Sequence, residues 1–226
     1  MTVKKRRSRR EGAQSGLSPG TAGRYTGRMS GIAEASGRLV LALRRRPWLG
    51  WLLSATAFPL VNGGLSLAAR ERLPFFLDSI LTAVAAAIFG PLQGLLTAVL
   101  TNAVHEAVNG FPGVHLPFSI CGAATALIVW AFVRRGRYES PLAASLCVGA
   151  VTLANALLGA AIAVLVYGGS TRMNIDNIVA GFALLTDSIF TAAFLARLPI
   201  NVVDKAIAVL PALALASAAR RVGQPA

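Results

Sequence analysis

The sequence predicts an all-α, polytopic membrane protein: six transmembrane helices behind a basic, disordered N-terminal tail. Three observations carry this. Hydrophobic residues make up 55% of the 226 and charged residues only 14%, with mean hydropathy +0.62, far from the composition of a soluble domain of this length. Apolar stretches able to cross ~30 Å of hydrocarbon, about 20 residues each, recur along the chain. The formal net charge of +13 is concentrated, since Met1–Arg46 holds twelve of the 22 Lys and Arg residues, with Glu11 and Glu34 as its only acids.

Residues 1–46 are rich in Gly, Ser and Arg, have little apolar surface to bury, and are expected to be disordered. The cluster KKRRSRR suits nucleic acid, but ahead of a membrane domain it reads better as a cytoplasmic anchor drawn to anionic lipid, at roughly 1 kcal/mol per basic residue. SRREG has the paired arginines of an export signal without the apolar segment that should follow directly, so that reading is rejected. Met29 is an internal candidate start. The expected organisation is a tail over 1–46, a membrane domain over 47–221 and a short cytoplasmic tail over 222–226.

Spans are expected at Trp48 to Ala69, Pro74 to Phe89, Pro91 to Val108, Leu116 to Val133, Pro141 to Val166, and near Pro199 to Ala219. Leu73 to Val108 is too long for one crossing, and Gly90-Pro91 supplies a turn, because proline starts helices well and the residue before it avoids the helical region. Asn177 to Leu195 is apolar enough for a seventh span, and charge decides against it. With six spans and the basic tail inside, RRGR at 134–137 and Arg220-Arg221 both fall in the cytoplasm, and the Asn109 to His115 loop, free of Lys and Arg, falls outside. Asn174 to Ala196 is then an outer, partly re-entrant or interfacial segment packed on protein. Both termini are expected in the cytoplasm and the protein in the plasma membrane. Cys121 and Cys147 sit in apolar runs and read as small core residues.

This topology gives each polar residue a depth. Asp78 falls in the outer third of span two; Asn102, His105 and Glu106 end span three; His115 begins span four; Tyr167 ends span five; Asn201, Asp204 and Lys205 open span six. Ionised residues at a helix centre cost roughly 2.5–3.5 kcal/mol each on insertion scales, so they face a cavity or a partner and mark function. Asn102 and Glu106 are four apart on one helix face, as are Asn201 and Lys205. A ring of this kind suits a small polar ligand arriving from outside. Plainer readings stand beside it. Asp78, one turn after Pro74, suits a helix N-terminus; Asp204 and Lys205 suit ion pairs with Glu106 or Asp78; His105 suits packing and His115 a wet loop; Asp187, between Thr186 and Ser188, suits a helix cap.

Several chemistries are excluded. The only lysines are Lys4, Lys5 and Lys205, so there is no phosphate-binding glycine loop ending in Lys-Ser/Thr. HEAVNG at 105–110 lacks the second histidine of a zinc protease, no Cys/His spacing suits a metal, and no G-x-S-x-G is present. No enzyme, cofactor or metal is expected.

The hairpin LPFFLDSILTAVAAAIFGPLQGLLTAVLTNAV, a short outer loop, VWAFVRRGR, a long fifth span, and LPINVVDKAIAVLPALAL before a basic C-terminus together resemble the substrate-binding S component of energy-coupling factor (ECF) transporters. The resemblance covers about Trp48 to Arg221. It implies a six-helix protein that captures a vitamin or related micronutrient from outside, without an ATPase of its own. Its implied partners are a transmembrane coupling subunit and a pair of ATP-binding subunits, and the implied mechanism is toppling in the membrane. By position it implies a pocket that includes Asn102, Glu106, His115, Asn174 and Asn201, beside the Asp78 and Asp204 reached above. Many members dock through A-x-x-x-A on the first span; here Gly50 and Ser54 form a small-x-x-x-small pair instead. The competing expectation is a membrane sensor or interaction protein of the same fold that does not transport, and a third is a facilitator that needs no ATPase.

Overall fold

The computed structural model describes residues 19–70, 75–136, 138–171 and 173–223. KKRRSRR, SRREG, Pro74 and residues 224–226 lie outside the described residues. The described chain is α-helical without a strand: α1 (Pro19–Arg44), α2 (Pro47–Ala55), α3 (Ala57–Arg70), α4 (Ile80–Ile88), α5 (Pro91–Val108), a 3-10 turn at Leu116–Phe118, α6 (Ser119–Arg134), α7 (Pro141–Leu165), α8 (Ile175–Ala183) and α9 (Ile189–Gly223). Prolines open α2, α5 and α7, where the missing N–H would have no helical partner anyway. Ser140 caps α7 by accepting from Ala143 N–H at 3.1 Å.

Among the described residues, four helical stretches are long and apolar enough to cross a membrane by length and composition: Pro47–Ala69, Leu116–Arg134, Pro141–Leu165 and Ile189–Gly223. The expected second and third spans differ from these. The Gly90-Pro91 turn forms as read, with Gly90 at φ 124°, a backbone state that glycine adopts without Cβ strain. Its first arm, however, is only nine helical residues, and Thr82–Ile88 are all buried among α3, α5, α6 and α9. Its second arm, α5, keeps Thr97, Thr101, Asn102, His105 and Glu106 buried, so its polar face is turned to protein. Small residues allow the close packing: a Cβ on Gly94 would lie 2.8 Å from both Ala86 Cβ and Ala126 Cβ, where α4, α5 and α6 meet.

Four further expectations are refined or corrected. The first span is two helices, because Pro59 has no N–H to give the Ala55 carbonyl and the chain breaks at Thr56. The last helix starts at Ile189 and runs through Pro199 and Pro211 to Gly223, so Pro199 interrupts α9 rather than opening it, and Val222 and Gly223 belong to the helix rather than to a tail. Of the Asn174 to Ala196 segment, Ile175–Ala183 is a separate nine-residue helix, Leu184–Ser188 is a non-helical connection and Ile189–Ala196 opens α9. Finally, residues 19–44 of the expected disordered tail form α1. From Ile32 onward, small and apolar residues recur at helical spacing; Gly37 and Val40 are buried, and a Cβ on Gly37 would meet Ala218 O of α9 at 2.5 Å. Arg44 donates from Nε to Ile88 O at 2.8 Å and from Nη2 to Ala87 O at 3.0 Å, meeting the last carbonyls of α4.

Two apolar cores result. One gathers Val40, Ile88, Val129, Val151, Val209 and Leu213 toward the arginine-rich end of the bundle. The other gathers Ala160, Ile175, Val179, Ala193, Ala196 and Ile200 with Phe75 and Phe76. Polar side chains from α5, α7 and α9 are buried in the same interior.

Candidate functional site

On α9 the spacing of three and four places Arg197, Asn201, Asp204 and Lys205 on one inward face, each 3% exposed or less. Asn201 Nδ2 donates to Arg197 O at 2.9 Å, and Asn201 O accepts from Thr152 Oγ1 of α7 at 3.3 Å. Lys205 Nζ is 2.7 Å from Asp204 Oδ2, donates to Ser79 Oγ at 2.9 Å and lies 3.8 Å from Asp78 Oδ1. Asp204 Oδ1 accepts from Leu77 N–H at 2.7 Å. One buried ammonium is thus set between two carboxylates. Asp78, with its side chain 27% exposed, is the member of the cluster that reaches out of the interior.

These bonds explain why Asp78 is not a helix-capping residue. Held by Asp204 at Leu77 and by Lys205 at Ser79, the chain stays non-helical over 75–79, and α4 starts at Ile80. Leu77 takes φ 46°, a left-handed conformation that costs a non-glycine residue about 1–3 kcal/mol. Of the ion pairs read for Asp204 and Lys205, that of Lys205 with Asp78 forms and none with Glu106 does; the shorter pair, Lys205 with Asp204, was not anticipated.

Glu106, 1% exposed, spends its carboxylate on the following loop. Oε2 accepts from Gly113 N–H at 2.9 Å, and Oε1 accepts from Leu116 N–H at 3.0 Å and from His115 N–H. Its backbone O accepts from Phe111 N–H at 2.7 Å. Tyr167 closes the loop from the end of α7, donating to Gly113 O at 3.0 Å and Val114 O at 3.1 Å and stacking on Phe118 at 6.2 Å. Burial, and then the Glu106 charge, hold the Tyr167 phenol above its ordinary pKa, so it remains a donor. The His105 and His115 rings meet edge to face at 5.4 Å.

The remaining expected residues divide. Asn102 is buried on α5, one turn before Glu106, and donates to Ala98 O at 3.1 Å. Asn174 is exposed where α8 begins. Gly50 and Ser54 are buried rather than presented to a partner: a Cβ on Gly50 would lie 2.8 Å from the Phe89 ring, and Ser54 O faces Thr97 Oγ1 at 3.5 Å. Their small size serves packing within the chain. Asp187 is exposed, and Ser188 accepts from Thr191 N–H at the start of α9.

Sequence reasoning missed Asn62 and Arg197. Asn62 is fully buried, donates to Thr82 Oγ1 and Thr101 Oγ1 at 3.3 Å each, and accepts from Leu81 N–H at 2.9 Å, so it ties α3, α4 and α5 together. Arg197 is signalled by its place four before Asn201 and eight before Lys205. Among the described residues no three His, Cys, Asp or Glu side chains gather as a metal site.

Ionised side chains enclosed in a helical bundle that exposes Trp48, Leu60, Leu142, Leu157 and Leu210 define an integral membrane protein with a polar interior site. The family model "ECF transporter, substrate-specific component" matches residues 49–216, and the chain belongs to this family of membrane transport components. Its members are substrate-binding subunits rather than enzymes, and work with coupling and ATPase modules. No curated protein and no solved structure matches the chain.

Proposed function

We propose that this chain captures a vitamin or related micronutrient from outside the cell and delivers it inward with a transmembrane coupling subunit and a pair of ATP-binding subunits. The observation that carries the reading is the α9 stripe, in which Arg197, Asn201, Asp204 and Lys205 are kept buried despite the cost of taking charge out of water. Asp78, Asn201 and Asp204 belong to the substrate group, and Asn102 lines it. Glu106 and His115 shape the adjoining loop over it. The end carrying Arg44, Arg134, Arg135 and Arg220 faces the cytoplasm, in keeping with the excess of basic residues there. Delivery follows from the whole subunit toppling in the plasma membrane.

The test is co-expression with the coupling and ATP-binding subunits, followed by affinity purification on this chain and native mass spectrometry. A complex containing the ATP-binding subunits, together with a small molecule retained by the purified chain, is the expected result. A chain that holds a small molecule and never captures those subunits overturns transport and supports sensing.

A further inference from the structure

Four charged side chains are buried to 6% exposure or less among the described residues: Glu106, Arg197, Asp204 and Lys205. Three have their charge met, Glu106 by loop amides and Asp204 and Lys205 by each other. Arg197 is the exception. Among the described residues no carboxylate lies within 4 Å of it, and its one hydrogen bond runs from Nη1 to Ala193 O at 3.1 Å, a neutral carbonyl of its own helix. The acid that acts on it through space, Asp176, already accepts from Ser170 Oγ, Thr171 N–H and Thr171 Oγ1. A guanidinium carries five N–H donors in a planar fork, and four are left over.

The Arg197 side chain lies close against α7. Across from Arg197, α7 presents Gly159, where a Cβ would sit 3.2 Å from Arg197 Cδ and Nε and 4.0 Å from Cys121 Sγ of α6. Any side chain at 159 would crowd Cδ and Nε, so glycine is what lets the Arg197 side chain lie against α7. Lys205 does not duplicate this arrangement, because two carboxylates already neutralise it. It lies eight residues along α9, ~12 Å away.

We infer that Arg197 is an anion-binding group, and that the transported molecule carries a carboxylate or phosphate which seats on the guanidinium beside Gly159 and Cys121. The planar fork matches either group through two parallel charge-assisted hydrogen bonds, and a bound anion supplies the directly hydrogen-bonded counter-charge that Asp176 gives only through space. That the anion belongs to a transported molecule rests on the transport reading; the anion site itself is a property of this chain alone.

Cys121 is the reporter. The full chain in detergent is treated with 2-sulfonatoethyl methanethiosulfonate, which is anionic, or with the cationic 2-trimethylammonioethyl reagent. Modification at Cys121 is followed by peptide mapping and normalised to each reagent's rate with free cysteine. The sulfonate is expected to react faster by about tenfold or more, because a charged, low-dielectric site concentrates its counter-ion. Arg197→Gln removes that preference and Arg197→Lys keeps it. Equal rates, a cationic preference, no reaction of either reagent in the unaltered chain, or a sulfonate preference that survives Arg197→Gln overturns the inference. The comparison in the unaltered chain decides the matter even if Arg197→Gln fails to fold. An anion preference in a chain that never captures ATP-binding subunits leaves the site standing and removes transport; the converse removes only the role of Arg197.

Discussion

Asp204 is tied to both neighbours that matter at the site, the Lys205 ammonium and the Leu77 amide. Asp204→Ala leaves a buried ammonium with Asp78 alone at 3.8 Å, and removal of one partner from a buried pair costs about 3–5 kcal/mol. The unfolding temperature in detergent should fall by several degrees, and the double change Asp204→Leu with Lys205→Met should recover part of the loss. If Asp204→Ala unfolds with the unaltered protein, the pair is not structural. Gly50 makes a second prediction. A leucine there drives its Cβ into the Phe89 ring at 2.8 Å and should destabilise the isolated chain by about 1–3 kcal/mol, before any partner is present. A stable Gly50→Leu chain that fails only to assemble would restore the docking role. At this scale Asn201, Asp204 and Lys205 were legible from their spacing. Arg197 was not, because Pro199 reads as the start of a helix and places residue 197 outside it. The backbone of Leu77 was not legible either, since its partner is 127 positions away.

Among elements, the 110–116 loop depends on one carboxylate. Glu106→Gln replaces an acceptor oxygen with a donor facing backbone N–H groups, and charge-assisted bonds of this type contribute about 1.5–3 kcal/mol. Faster amide exchange confined to residues 111–116, with the rest of α5 protected, is the expected outcome; unchanged protection there would refute the anchoring role. Tyr167 clamps the same loop with a definite pH dependence. Its phenol titrates higher folded than unfolded, so the stabilisation is complete below the ordinary phenol range and is lost as pH rises through the elevated folded value. Phenolate absorbance compared between the unaltered chain and Tyr167→Phe should show one tyrosine ionising late. The Gly90-Pro91 turn and the proline starts of α5 and α7 were readable because they are local chemistry. The shortness of α4 was not, since its lead-in is held by α9 rather than by its own sequence. Nor was α1: its buried positions begin at Gly37, beyond the basic run that dominates the composition of the tail.

For the molecule as a whole, α1 packs on α9 and its Arg44 meets the end of α4, so it is structurally continuous with the 49–216 family region. A chain begun at Met29 keeps Gly37, Val40 and Arg44, and should unfold at the same temperature as the full chain. Gly37→Val, which forces a Cβ toward Ala218 O at 2.5 Å, should lower that temperature in both. Equal stability of the Gly37→Val chain would show that α1 contributes nothing to the bundle. Class and family were readable from composition and from the order of motifs along the chain. The count of spans was less so, because hydropathy alone does not separate a helix enclosed by protein from one facing lipid.

The 35 residues of α9 amount to ~52 Å of helix, against ~30 Å of hydrocarbon. One beam therefore carries Arg197 in its first third, Lys205 at its middle and Arg220 near its far end, ~39 Å from Arg197 to Gly223, with Pro199 and Pro211 as its two weak points. A tilt of about 10° sweeps the far end through about 7 Å over that length. A ligand seated on the guanidinium would therefore bear on the same helix that carries Arg220 and packs against α1.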